Sequence, residues 1–159
     1  MRDQLMTGIR QAIPVMLAYI PLGLAFGVLA SEAGLSVAEI TLMSALVFTG
    51  AGQYIAIGII AAGGSALTII LANLLVNLRY FLFSTSLVPP LKVLPTGAAS
   101  ALMLGLTDET YAVAAVHFRE NPATIPYLAG LNVSSYLSWV GSSFLGPVWG
   151  ASLPIPSNW

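Results

Sequence analysis

The chain of 159 residues is 57% hydrophobic and only 7% charged, with a formal net charge of −1 and a mean hydropathy of +0.89. A water-soluble domain carries about 25% charged residues, so this composition excludes one; the absence of a basic patch also excludes a nucleic-acid partner. Cysteine is absent, which removes disulfides, thiolate nucleophiles and thiolate metal sites together.

No charged residue occurs between Glu39 and Arg79, and none follows Glu120. Apolar runs of about 20 residues read as transmembrane helices. The expected fold class is all-α: a polytopic helical membrane bundle of about five spans, with several helices broken or kinked at mid-membrane. One transmembrane domain covers residues 1–159.

Residues 1–11 read as a short amphipathic lead-in carrying Arg2 and Arg10. The apolar stretch after it is longer than a secretory signal core, so it reads as a retained first span, about 12–30. Pro21 removes a backbone donor near its centre and suggests a kink or break. Gly23 and Gly27 have the GxxxG spacing that lets another helix approach closely, and simple helix packing is the commoner use of it.

A loop with Glu32 and Gly34 leads to the second span, about 39–61, whose centre holds Gly50, Gly52 and Gln53. Two glycines and an amide at mid-depth fit poorly with a straight lipid-facing helix. The third span, about 66–87, carries Asn73, Asn77 and Arg79 and is closed by Pro89 and Pro90; Lys92 lies in the next loop. The fourth span, about 97–117, has Gly105, Thr107, Asp108, Glu109 and Thr110 at its centre. Glycine followed by Thr107 and Asp108 reads as the N-cap start of a second half-helix. After a loop with Arg119, Glu120 and Pro122, the fifth span covers about 126–149. There Asn132, Ser134, Ser135 and Ser138 suit interhelical hydrogen bonding, and Trp139 a core position. Tyr127, Trp149 and Trp159 fit interface anchors. His117, at a helix end, reads as interfacial.

A charge at the centre of a hydrocarbon layer costs about 2.5 kcal/mol or more, so Arg79 needs a partner. Antiparallel spans bring the middles of the second, third and fourth together, which makes Asp108 or Glu109 the obvious counter-charge. Asn73, Asn77, Tyr80 and Ser84 share one helical face, while Arg79 points about 200° from Asn77. The third span is therefore either enclosed by protein or unwound near Asn77. Broken helices at the midplane are how many secondary transporters build substrate sites, and an amino acid's carboxylate and ammonium suit such a place. The candidate substrate site is Arg79, Asp108 and Glu109 as charged centre, Gln53 and Asn77 as polar contacts, and Gly50 and Gly52 as the backbone break.

Enzyme chemistry has little support. Asp3 and Asp108 are the only aspartates and His117 the only histidine, so neither an aspartyl dyad, a serine with a mid-depth base nor a zinc set can be assembled. No catalytic residue, metal or cofactor is expected.

Taken together, residues 14–27, the run SALVFTGAGQ at 44–53, Asn77-Leu-Arg79 and Thr107-Asp-Glu109 resemble the AzlC family of branched-chain amino acid permeases. The resemblance implies the large subunit of a two-component exporter of branched-chain amino acids, working with a small AzlD-like membrane protein in the plasma membrane. Because further hydrophobic segments follow in the family, it also implies one of three things: a fragment (the N-terminal part of a longer permease), a truncated product or a shortened form. Where the family commonly has histidine after Asn-Leu-Arg, this chain has Tyr80. With Arg2, Arg10 and Arg119 on one side and Lys92 on the other, the N-terminus is expected in the cytoplasm. A non-transporting accessory or assembly subunit is the alternative.

Overall fold

The computed structural model describes residues 1–150, which are helical with short connections. In chain order the helices are α1 (Arg2–Glu32), α2 (Val37–Val47), α3 (Ala51–Ala61), α4 (Ala66–Asn77), α5 (Arg79–Leu91), α6 (Thr96–Met103), α7 (Asp108–His117) and α8 (Ile125–Gly150). The expected second, third and fourth spans are thus each divided into two helices. Trp159 and the proline-rich tail lie outside the described residues.

Two local expectations are corrected. The lead-in is not separate, because α1 begins at Arg2. Nor does Pro21 break the helix, which runs unbroken to Glu32. Pro21 removes one N–H, the one that would reach Leu17 O, and the other bonds of this 31-residue helix hold it together.

The fold divides into two compact units. The first comprises Met1–Ala18 with Asn77–Leu137, the second Tyr19–Val76 with the described residues that follow Leu137. Ala12, Leu87, Leu106, Ala114, Leu128 and Leu131 form the first unit's core, together with Tyr127, which is fully buried rather than an interface anchor. Its ring stacks on His117 with centroids 3.8 Å apart, and its hydroxyl donates to Gln11 Oε1 at 2.6 Å. His117 is accordingly packed against the core. Backbones approach closely where Gly8 meets Gly130: a Cβ on either would strike the other helix's backbone.

The second unit is organised around Tyr19, Phe26 and Trp139. Trp139 lies edge-on to Tyr19 (5.4 Å) and stacked with Phe26 (6.1 Å), and it is buried, as expected of a core aromatic. Gly27 and Gly146 form a second close approach, where an added Cβ would meet Ser143 O and Leu24 O respectively. The GxxxG spacing therefore serves packing. By contrast α4 buries none of its residues, and Leu67, Ile70, Leu71, Leu74 and Leu75 are all more than half exposed. A continuous apolar face of this kind is stable against hydrocarbon, not water. The chain is a helical membrane protein.

Candidate functional site

In the first unit the charged centre is built where two helices begin. Asn77 is the last residue of α4, Leu78 forms a turn, and Arg79 opens α5. Leu78 keeps right-handed helical angles (φ −54°, ψ −27°), and Phe81 N donates to Leu78 O at 3.1 Å. An i+3 bond tightens the helix locally. The interruption therefore shifts the register of the side chains without unwinding the backbone. Arg79 also lies over the Tyr80 ring, 5.4 Å from its centroid, a cation–π arrangement.

Asp108 stands at the corresponding place on α7. The α6 helix ends at Met103, and residues 104–107 make the connection. Thr107 is the N-cap in extended conformation (φ −126°, ψ 176°), and its hydroxyl accepts from Thr110 N at 3.3 Å. Thr110 Oγ1 in return accepts from Thr107 N at 2.8 Å, closing a capping box. Both threonines are buried. The half-helix start expected from Thr107 and Asp108 is thus present. Asp108, at the first position of the helix, takes no part in the box and is left for another partner.

That partner is Arg79. Its Nη1 lies 2.7 Å from Asp108 Oδ2, so the pairing expected from the cost of a lone arginine is made. Glu109 follows in the first turn of α7 and is exposed, while Asn77 is half-buried at the end of α4. Arg79 Nε is buried and has no hydrogen-bond partner among the described residues. The guanidinium therefore still carries a donor to spend.

Gly50, Gly52 and Gln53 belong to the second unit. Between α2 and α3 the backbone leaves helical geometry at 48–50. Phe48 takes a left-handed conformation (φ 36°, ψ 53°), and Gly50, the N-cap of α3, has φ 41° and ψ −86°. A side chain makes Gly50's conformation costly, so glycine is required there. Gly52 is needed for space, since a Cβ on it would run into Asn73 Oδ1. Gln53 is fully buried and bonded at both ends: Nε2 donates to Ser44 Oγ (3.0 Å), and Oε1 accepts from Trp139 Nε1 (3.0 Å). The glutamine ties α3 back to α2 and to α8.

A family model described as AzlC protein matches residues 14–153. The chain belongs to the AzlC family. A relative from Archaeoglobus fulgidus, described as an uncharacterized membrane protein, is 37% identical over 92% of this chain and 63% of its own length. The Escherichia coli inner membrane protein YgaZ is 29% identical over 93% of this chain and 62% of its own. The Bacillus subtilis branched-chain amino acid transport protein AzlC is 23% identical over 94% of this chain and 61% of its own. The chain therefore spans somewhat over three fifths of these relatives' length. No solved structure matches it.

For this AzlC-family chain, two polar residues carry more of the structure than their sequence suggests. Trp139 donates the hydrogen bond that fixes Gln53. Asn132, in the α8 segment read only as a run of hydrogen-bonding residues, is 4% exposed and reaches the end of α6, where Nδ2 donates to Leu102 O at 2.7 Å. A buried asparagine inside an apolar span was the available signal for it.

Proposed function

We propose that this chain is the N-terminal, substrate-handling part of a multi-pass secondary transporter for branched-chain amino acids. The observation that carries the proposal is the Arg79–Asp108 pair, set at the starts of two half-helices inside a chain otherwise almost free of charge. Helix N-termini carry partial positive charge and, with an arginine, favour a carboxylate. The buried Nε of Arg79 is a donor of the type an amino acid's carboxylate takes. Asp108 and Glu109 hold the arginine in place and balance it. Asn77 contributes a polar contact at the end of α4. Gly50 provides the break in the second unit; Gly52, read with it as part of the break, lies inside α3 and makes room for Asn73, and Gln53 acts by fixing the break through Ser44 and Trp139. The branched-chain substrate class rests on the name of the Bacillus subtilis relative.

The direction is export, the membrane is the plasma membrane, and a small AzlD-like protein completes the transporter. The N-terminus is cytoplasmic, by the excess of Arg2, Arg10 and Arg119 over Lys92. The role is transport rather than catalysis. Flux of labelled leucine from proteoliposomes holding the protein with its AzlD-like partner tests this reading. Leucine efflux that is lost in Arg79→Ala and Asp108→Asn, with both variants still inserted, is the expected result. Absence of flux under every imposed gradient overturns it and leaves an accessory role.

A further inference from the structure

The acceptor for the other end of an amino acid can be sought among buried groups left unsatisfied, because native structures leave few of them. Among the described residues these are Arg79 Nε, Asn132 Oδ1 and Ser143 Oγ. Arg79 and Asn132 both belong to the first unit. One is a donor and the other an acceptor, and both adjoin the elements that flank the α6–α7 connection. The Asn132 amide cannot be reversed to hide its oxygen, since Leu102 O accepts only and must face Nδ2, at 2.7 Å. The acceptor is therefore fixed on the other side of the amide. Gly105 brings the connection against this side chain: a Cβ placed on it would lie 3.0 Å from Asn132 Cβ. Asp108 follows three residues later, within about 11 Å along the chain, since successive Cα atoms are about 3.8 Å apart.

We propose that the Asn132 carboxamide oxygen accepts a hydrogen bond from the substrate's ammonium group. This rests on reading the first unit as an amino-acid site, and it supplies the half of the zwitterion that Arg79 does not. The oxygen is sealed from solvent in this conformation, so the 104–107 connection has to shift to admit the ligand. That connection is built for such a change. Leu104, Gly105 and Leu106 each donate to the carbonyl three residues back, at 3.3, 3.2 and 3.1 Å, rather than four back as in a regular helix. These bonds have poorer geometry than α-helical ones and shift more readily. Leu102 O is shared by Gly105 N and Asn132 Nδ2, so the amide and the connection move as a linked pair.

Binding of leucine, isocaproate (leucine without its amino group) and isoamylamine (leucine without its carboxylate) to the purified complex tests this. Asn132→Leu should weaken leucine about 10- to 100-fold, the range for losing one charge-assisted hydrogen bond, and leave isocaproate unchanged. Asn132→Asp should tighten isoamylamine. A structural role would instead weaken all three ligands alike, and that outcome overturns the proposal. Hydrogen–deuterium exchange of wild-type protein needs no variant. Leucine, but not isocaproate, should alter exchange across 102–107, and equal effects of the two also overturn it. If wild-type protein binds none of the three, the amino-acid reading fails and this proposal with it. Leucine binding with unaltered discrimination in Asn132→Leu sinks this proposal alone.

Discussion

Arg79 and Asp108 have side chains 32% and 37% exposed at a separation of 2.7 Å. The pair is thus neither free in solvent nor sealed in a core. Its coupling should fall between those of exposed and buried pairs, about 1–3 kcal/mol in a double-mutant cycle of Arg79→Ala and Asp108→Asn read by thermal unfolding in lipid. Additive effects would show the pairing to be energetically idle. The pair was legible because an arginine at that depth is too costly to stand alone. Tyr127 was not: sequence placed it at a membrane interface, where tyrosines concentrate, but His117 and Gln11 give both its ring and its hydroxyl partners inside the first unit. Long-range contacts of that kind leave no local signal. Trp139 shows the same limit. Its core position could be read, while its hydrogen bond to Gln53 could not. Trp139→Phe keeps an aromatic ring, though a smaller one, and removes the donor, leaving the buried Gln53 carboxamide oxygen without it. The expected loss is about 1–3 kcal/mol of stability, checked by unfolding of the detergent-solubilised protein.

Among the elements, the half-helix starts carried the clearest local chemistry. Thr107 and Asp108 mark the start of α7 in sequence, and the capping box forms there. Thr107→Ala removes the buried cap hydroxyl that accepts from Thr110 N and should cost about 1–2 kcal/mol. Thr107→Ser should recover most of it, measured as thermal midpoint. The α2–α3 break was legible from its glycines, although the strained position just before them fell on Phe48. Gly50→Ala, forced into φ 41° and ψ −86°, should destabilise by about 1–3 kcal/mol. A variant as stable as wild type would show that the break relaxes. Pro21 illustrates the converse. It was read as a kink or break, but it removes a single hydrogen bond from a 31-residue helix, and α1 runs on through it.

For the whole molecule, composition alone gave the class, because a chain with 7% charged residues cannot coat itself against water. The division into two units was not legible. It assigns parts of α1 and α8 to both units, with the intervening chain shared between them, whereas reading spans one at a time treats each helix as a single body. Close approaches in each unit depend on small residues, so Gly8→Leu and Gly27→Leu should each impair folding, seen as loss of monodisperse protein on size exclusion. Alanine at either position should be the milder change, though still destabilising, because a single Cβ already meets backbone.

The Arg79–Asp108 pair also determines how the protein meets an electric field. A membrane voltage does about 2.3 kcal/mol of work on each elementary charge moved through 100 mV. Displaced together, the two residues carry no net charge, so voltage neither drives nor opposes their motion. In the second unit, no ionisable acid or base other than tyrosine lies between Glu39 and Val76. Motion of its α3 and α4 helices is electrically silent for the same reason. Between Lys92 and Arg119 that leaves Glu109 as the carboxylate on which a field would act.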